Sequence, residues 1–111
     1  FFAGAASGGV TAPTALISVA MSTAVNVEGL ESAMAAKRLH NSGSPDIVYY
    51  EQGYDEATID ALIKKGHRVA ATPSLGRVNA VGCLQGLPFD PLSCEAVTDP
   101  RGYGLALKID N

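Results

Sequence analysis

The sequence predicts an α+β fold in which helices pack on a mostly antiparallel sheet. Three observations support this prediction. Segments of helical periodicity and short β-rich segments follow the order strand, helix, helix, strand, helix and then several strands. Twelve glycines and six prolines supply turns between them. The length of 111 residues permits one modest core, so residues 1–111 are expected to form a single segment.

The N-terminal part predicts a strand, a turn and two helices. Residues 1–3 are predicted as the end of a strand that runs into the small-residue turn GAASGGVTAP at residues 4–13. Pro13 is tolerated in the first turn of a helix, which is predicted over residues 14–25. Apolar residues cover most of the circumference of that helix, so it is predicted to be buried. A shorter helix is predicted over residues 28–36.

The remaining elements are shorter. HNSGSPD at residues 40–46 predicts a loop, and IVYYE at residues 47–51 predicts a strand. Asp55 is expected to cap a helix over residues 56–65 that ends at Gly66. The last predicted elements are all strands, at residues 68–71, 78–84, 93–98 and, as a final edge, 105–109.

The composition argues against some classes of function. The net charge is −3, so no basic surface is available to bind nucleic acid. The longest apolar stretch, residues 12–27, is interrupted by polar side chains and fits a buried helix better than a membrane span. No targeting segment is visible at Phe1. Only 17% of the residues are charged, which indicates that some apolar surface meets another chain or a missing segment.

Two cysteines lie on either side of a predicted hairpin. A hairpin centred between residues 88 and 89 would place Cys83 opposite Cys94, within reach of a disulfide bond. Two buried, reduced thiols are the alternative. The spacing of His, Cys and Asp residues suggests no metal site, and no cofactor is expected.

The glycine-rich stretch at residues 4–13 has three possible uses. A backbone without side chains can form a tight turn, cradle an anion at a helix N-terminus, or supply the N–H groups of an oxyanion hole. The stretch lacks the Gly-Lys-Ser/Thr ending of a phosphate loop, which argues against a nucleotide site. Composition alone does not decide among the three uses.

Five segments in order resemble one known family. They are SGG at 7–9 before an apolar helix, NVEGLESAMAAKRLH at 26–40, IVYYEQGYDEATIDALIKKGHRV at 47–69, LGRVNAVGC at 75–83 and AVTDPRGYG at 96–104. Together they resemble the C-terminal half of the small subunit of γ-glutamyltransferases, members of the N-terminal nucleophile hydrolase superfamily. Ala36, Arg38 and His40 keep the family's Ala-Pro-Arg, aromatic, His pattern, while Lys37 replaces the proline and Leu39 the aromatic residue.

The resemblance implies a fold and a chemistry. The expected fold is part of an αββα sandwich. The expected enzyme cleaves itself to expose a threonine, whose hydroxyl attacks glutathione or another γ-glutamyl amide with its own α-amine as the base. Gly8 and Gly9 match the family's oxyanion-hole glycines, while Ala5 and Ala6 stand where the family usually has a glycine and a hydroxyl residue. The resemblance suggests a periplasmic or extracellular location, but the sequence leaves the location of the full protein unknown.

This chain is expected to supply only part of the active site. Phe1 has no hydroxyl or thiol, and Thr11, Thr14 and Thr23 are internal and lack a free α-amine. The resemblance therefore implies that the nucleophile and the residues that bind the substrate's α-amino and α-carboxyl groups lie upstream or in the large subunit. The expected partners are these other parts of the precursor and a γ-glutamyl small molecule. The isolated chain is expected to be inactive.

The other polar residues carry structural predictions. His40 is expected at the surface or in an ordinary hydrogen bond. His67 is expected just past the C-terminus of a helix, where it interacts favourably with the helix dipole. Asp99 and Arg101 are expected to form an ion pair that anchors the chain near its end. The tyrosines expected to pack on the sheet are Tyr49, Tyr50 and Tyr54.

Two functions of other classes stay open beside the enzyme. One is a non-catalytic interaction domain that docks a partner through an apolar face. The other is a small anion-binding module built on the glycine turn. A self-cleavage threonine upstream in the same open reading frame would favour the enzyme.

Overall fold

The computed structural model describes residues 1–25, 29–83 and 90–109. Within these ranges the chain forms the helices and strands β1 (Phe2–Ser7), α1 (Ala12–Val25), α2 (Gly29–Ala35), β2 (Leu39–His40), β3 (Val48–Glu51), α3 (Glu56–Lys64), β4 (Val69–Thr72), β5 (Arg77–Cys83) and β6 (Cys94–Thr98). Single 3-10 turns lie at Gly9–Thr11 and Pro91–Ser93. In the described ranges, no helix is long and apolar enough to cross a membrane.

The strands form two sheets of three strands each. In the first sheet, β5 lies between β1 and β6, and both pairs are antiparallel. In the second, β3 lies between β2 and β4, antiparallel to β2 and parallel to β4. Most of the strand pairs are therefore antiparallel, and the predicted α+β class is confirmed.

The core lies between the first sheet and the helices α1 and α2. Alternation along β5 directs Val78 and Ala80 towards the helices, whereas Asn79 and Val81 are exposed on the opposite face. Burying a Val, Leu or Met side chain stabilises a fold by roughly 1.5–3 kcal/mol. The buried cluster consists of Ala15, Val19, Leu30, Ala33, Met34, Val78 and Ala80.

Helix α3 begins and ends where local signals predict. The Asp55 carboxylate accepts a hydrogen bond of 3.0 Å from the Thr58 N–H, which satisfies one of the free N–H groups of the first turn. Ile59 is the buried residue of this helix. Gly66, with a φ of +90°, ends the helix in the left-handed conformation that favours glycine.

Helix α1 is less buried than its composition predicts. Ala15 and Val19 are fully covered, but Ile17, Met21 and Val25 on its other side are 61%, 57% and 71% exposed. The prediction of a buried helix is therefore wrong for this chain. The helix packs on the first sheet through one face, and none of the described elements covers the other face.

The predicted edge strand at residues 105–109 is also wrong. This segment is irregular, and Leu105, Leu107 and Ile109 are exposed. A Cβ added to Gly104 would lie 2.9 Å from the Thr98 Cγ2 and 3.3 Å from the Asn79 Oδ1. The chain therefore approaches the outer face of the first sheet instead of pairing along its edge.

Two further boundaries differ from the prediction. Strand β1 continues to Ser7, because every residue from Phe2 onwards pairs with β5, and the turn begins only at Gly8. His40 belongs to the short strand β2, not to a loop. Parts of three predictions lie outside the described residues: the start of the second helix, Leu84 at the end of a strand, and most of the loop before β6.

Cys83 and Cys94 form a disulfide bond. The two residues pair directly across the antiparallel ladder of β5 and β6, as the predicted hairpin requires. Of the two alternatives that the sequence leaves open, the structure therefore shows the disulfide. The bond joins the central strand of the first sheet to its edge strand next to residues 84–89.

Candidate functional site

The glycine turn between β1 and α1 has an unusual backbone. Gly8 has a φ of +130° and Gly9 a φ of +60°, a region that L side chains rarely adopt. The Thr11 N–H and hydroxyl both donate to the Gly8 carbonyl, at 3.2 and 2.8 Å. These bonds close the turn and direct the chain into helix α1.

The two glycines are required for different reasons. A Cβ on Gly8 would lie 2.6 Å from the Thr11 Oγ1 and 2.9 Å from the Gly76 Cα, so a larger residue does not fit. A Cβ on Gly9 would meet no atom within 4 Å. Position 9 therefore requires glycine because of its backbone conformation, and the space beside its Cα is open.

The N–H groups of the turn are available as donors. Among the described residues, no group accepts a hydrogen bond from the N–H of Gly8 or Gly9. The turn borders a polar cleft of about 330 Å³, whose lining residues are Ser7, Gly8, Thr11, Ser74, Gly76 and Arg77. Two free amides that precede a helix can stabilise a negatively charged oxygen, because the helix dipole adds positive potential at that end.

A buried network of two arginines and two carboxylates lies behind the turn. The Arg101 guanidinium donates two hydrogen bonds to the Glu51 carboxylate, of 2.6 Å from Nε to Oε1 and 2.5 Å from Nη2 to Oε2. Asp99 forms ion pairs with Arg101 at 3.1 Å and with Arg38 at 2.8 Å. All four side chains are at most 10% exposed.

The network joins several elements to one another. Glu51 accepts hydrogen bonds from the N–H groups of Arg38 and Leu75, and Asp99 accepts one from the N–H of Val78. Arg101 donates to the carbonyls at the end of α2, those of Met34 and Ala36. Helix α2 and strands β3, β5 and β6 therefore meet at these four side chains.

Sequence reasoning found only half of this network. The structure brings Asp99 and Arg101 together, and their role as an anchor remains a prediction. Arg38 and Glu51 were not singled out as partners. A signal was present, because Glu51 is a charged residue that directly follows the β-rich run IVYY and needs a partner when buried.

The pKa values of the two carboxyl groups are both lowered. Burial alone would raise the pKa of Glu51, but hydrogen bonds from Arg101, Leu75 and Arg38 outweigh it and hold the pKa below its ordinary value of 4.5. Burial likewise opposes the lowered pKa of Asp99, and hydrogen bonds from the Arg101 and Val78 N–H groups and from Arg38 outweigh it. The charged form of each carboxyl group therefore stabilises the folded state.

Acid is expected to weaken the fold through these two groups. A carboxyl with a lowered folded pKa contributes stability above its unfolded pKa and loses that contribution as the pH falls through the folded pKa. The free energy of unfolding should be level near pH 7 and should fall as the pH drops below 4.5. Urea unfolding between pH 3 and pH 7 tests this expectation, with Glu51→Gln as the comparison, whose dependence on acid should be shallower. A wild-type stability that does not change down to pH 3 would contradict it.

The two histidines lie in different surroundings. His40 is buried, and its Nδ1 lies 2.9 Å from the Thr14 Oγ1, so of the two expected surroundings the structure shows the hydrogen bond and not the surface position. Its Nε2 has no hydrogen-bond partner among the described residues. This contact joins β2 to the first turn of α1. His67 is exposed just beyond α3.

The other expected residues show no second site. Tyr49, Tyr50 and Tyr54 are half-buried on and beside β3. Within residues 1–25, 29–83 and 90–109, no three His, Cys, Asp or Glu side chains come together as metal ligands. The glycine turn with its supporting network is therefore the candidate functional site.

Comparison with known proteins gives a consistent result. The sequence matches the profile of the Gamma-glutamyltranspeptidase family over residues 2–109. A threonine-to-alanine mutant of the Helicobacter pylori gamma-glutamyltranspeptidase is similar with a TM-score of 0.82 and 26% identity, over 92% of this chain and 54% of that chain. The corresponding Pseudomonas nitroreducens enzyme, complexed with L-DON, has a TM-score of 0.82 and 23% identity, over 98% and 55%. A search of curated proteins found no match.

A more distant structure has the same fold. The Bacillus anthracis transpeptidase CapD has a TM-score of 0.75 and 17% identity, over 97% of this chain and 63% of that chain. The helix-covered antiparallel sheet is thus the N-terminal nucleophile hydrolase fold. The family profile spans nearly the whole sequence, and the chain belongs to the gamma-glutamyltranspeptidase family. It spans about half the length of the Helicobacter and Pseudomonas chains.

Proposed function

We propose that this chain is the C-terminal part of a γ-glutamyltransferase or hydrolase that acts on glutathione or other γ-glutamyl amides. Its role is to supply the oxyanion hole through the N–H groups of Gly8 and Gly9. The observation that carries the proposal is that both N–H groups lack an acceptor within the described residues, in a turn whose sequence resembles the family's glycine pair.

The proposed reaction is an acyl transfer in two steps. A threonine hydroxyl on the upstream polypeptide attacks the γ-carbonyl carbon, and the threonine's α-amine accepts the hydroxyl proton. The carbonyl oxygen becomes an oxyanion, which the Gly8 and Gly9 N–H groups stabilise. The C–N bond then breaks, the leaving amine takes the proton, and a γ-glutamyl ester remains. Water or an acceptor amine attacks this ester and releases the threonine.

The three threonines between residues 11 and 23 do not fit the role of the nucleophile. The Thr11 hydroxyl donates to the Gly8 carbonyl, the Thr23 hydroxyl donates to the Val19 carbonyl, and the Thr14 hydroxyl is bonded to His40. All three are internal and have no free α-amine. These contacts support a nucleophile on another segment of the precursor.

The exposed apolar faces support a role for the rest of the precursor as the partner. Ile17, Met21 and Val25 form a stripe at a spacing of four residues on α1. One related gamma-glutamyltranspeptidase of 26% identity, inhibited with acivicin, is described as having critical roles for its C-terminus in autoprocessing and catalysis. By analogy, we propose that this chain docks on the preceding part of its precursor and completes the site.

Expression of the complete open reading frame tests the proposal. The complete protein should cleave itself at a threonine and release p-nitroaniline from γ-glutamyl-p-nitroanilide, and replacing that threonine by alanine should abolish both activities. The chain of residues 1–111 should be inactive in the same assay. Activity of the purified chain, or the lack of a self-cleaving threonine upstream, would overturn the assignment.

The same stripe on α1 favours a second candidate, a non-catalytic domain that docks a partner. For this candidate, the complete protein would neither cleave itself nor turn over γ-glutamyl amides. The experiment therefore separates the two functions.

A further inference from the structure

The loop between β4 and β5 packs against the rear of the glycine turn. Gly76, with a φ of +68°, lies there so close to the turn that a Cβ added to Gly8 would lie 2.9 Å from its Cα. We propose that Gly76 is a positioning residue, which holds the Gly8 and Gly9 N–H groups in place for the oxyanion. This inference rests on the proposed function, because it assigns a role within that site.

The contacts of Gly76 leave no room for a side chain. A Cβ on Gly76 would lie 2.7 Å from the Ala15 Cβ, 3.3 Å from the Thr11 carbonyl oxygen and 3.5 Å from the Ser7 carbonyl oxygen. Ser7 and Thr11 are the residues on either side of the turn. From the opposite direction, a Cβ on Gly8 would lie 2.9 Å from the Gly76 Cα. The two backbones therefore pack directly on each other.

The buried network fixes the position of Gly76. The Arg38 Nη1 donates to the carbonyl of Gly76 at 3.3 Å and to that of Leu75 at 3.2 Å. The Glu51 Oε1 accepts the Leu75 N–H at 2.8 Å. Buried charged groups thus hold the backbone at Gly76 and on its N-terminal side.

This arrangement links the network to the geometry of the donors. Oxyanion stabilisation requires donors within about 2.7–3.1 Å of the oxygen, and a misplacement of about 1 Å costs on the order of 100-fold in rate. Gly76 does not itself reach the substrate. It acts through Gly8, because the backbone of Gly76 lies directly against the backbone of Gly8.

Gly76→Ala in the complete protein tests the inference, with Gly66→Ala as the matched control. Gly66 also has a positive φ, of +90°, but a Cβ there would meet no atom within 4 Å. Gly76→Ala should lower kcat by about 10–100-fold with little change in KM, because the donors act in the transition state. Its affinity for a boronate that forms a tetrahedral adduct with the nucleophile should fall in parallel. The control should stay within about 3-fold of the wild type in both measurements.

A second variant separates positioning from folding. Ala15→Gly/Gly76→Ala removes the 2.7 Å contact with Ala15 and keeps the tight 3.3 Å approach to the Thr11 carbonyl, beside an ordinary 3.5 Å contact with the Ser7 carbonyl. The same loss of kcat and boronate affinity in this variant would support the proposal. It is wrong if both Gly76 variants behave like Gly66→Ala. It is also wrong if both fail to fold while Gly66→Ala folds, because Gly76 would then serve folding alone.

A reference variant distinguishes failure of this inference from failure of the proposed function. Gly9→Ala should lower kcat and boronate affinity whatever the role of Gly76. If it does so while the Gly76 variants do not, only the positioning role is lost. If Gly9→Ala also has no effect, the oxyanion-hole role itself is wrong.

Discussion

Gly9→Ala in the complete protein is expected to lower kcat by about 100-fold or more, because a lost oxyanion donor costs on the order of 10²–10³. Two physical effects act together. An L-residue at a φ of +60° is disfavoured by roughly 1–2 kcal/mol, so the turn relaxes away from its geometry. The added Cβ also projects into the open space beside the turn, where the reacting carbonyl is expected to lie.

The control for this variant is Gly43→Ala. Gly43 has a φ of +82°, and a Cβ there would meet no atom within 4 Å, so the backbone strain is similar at an exposed loop. Steady-state kinetics with γ-glutamyl-p-nitroanilide and urea unfolding should be measured for both variants. A kcat for Gly9→Ala within about 3-fold of that for Gly43→Ala would remove the turn from the catalytic site.

Arg101→Ala is expected to produce the largest loss of stability. The substitution removes the bidentate partner of Glu51 and one of the two cations beside Asp99. It also removes the hydrogen bonds that Arg101 donates to two carbonyls at the end of α2, those of Met34 and Ala36. Breaking one partner out of a buried ion pair costs about 3–5 kcal/mol, because an unpaired charge stays buried. Since a domain is stable by only about 5–15 kcal/mol, such a loss removes a large share of the free energy of unfolding.

Arg68→Ala is the matched control for that variant. Arg68 is exposed, and its side chain donates a hydrogen bond of 3.2 Å to the Asp46 carbonyl, so removing that side chain should change stability by only about 0.5 kcal/mol. Urea unfolding followed by circular dichroism measures both. If the free energy of unfolding of Arg101→Ala matches that of Arg68→Ala, the network does not hold the fold together.

The elements that the sequence predicts well depend on local signals. Helix α3 has its cap at Asp55, its apolar stripe and its terminating glycine within one short segment, and its predicted bounds are nearly those observed. The disulfide was open between two alternatives, because spacing brings Cys83 and Cys94 together but does not determine their oxidation. Local reasoning was sufficient wherever the decisive contacts lie close in sequence.

The errors arise where distant contacts decide the structure. Leu105, Leu107 and Ile109 alternate as in a strand, but the preceding chain approaches the sheet face at Gly104 and the segment does not pair. The apolar circumference of α1 predicts burial, whereas only one of its faces meets the sheet.

The candidate site shows the same division. A glycine pair before a helix is a local pattern that predicts a turn at Gly8 and Gly9, whereas their role in an oxyanion hole is implied only by the resemblance to the family. Glu51 and Arg101 are separated by 50 residues, so their pairing is not visible in the sequence. The contact between Gly8 and Gly76 likewise depends on the tertiary fold. The turn and the Asp99–Arg101 pair could therefore be predicted, whereas the contacts that Glu51, Arg38 and Gly76 make with them could not.

The most direct measurement is a crystal structure of the complete protein with a boronate bound to its nucleophile. One oxygen of the tetrahedral adduct is expected to lie about 2.7–3.1 Å from the N atoms of both Gly8 and Gly9. An adduct whose oxygens are all held by other groups, with both glycine N atoms beyond hydrogen-bond distance, would contradict it.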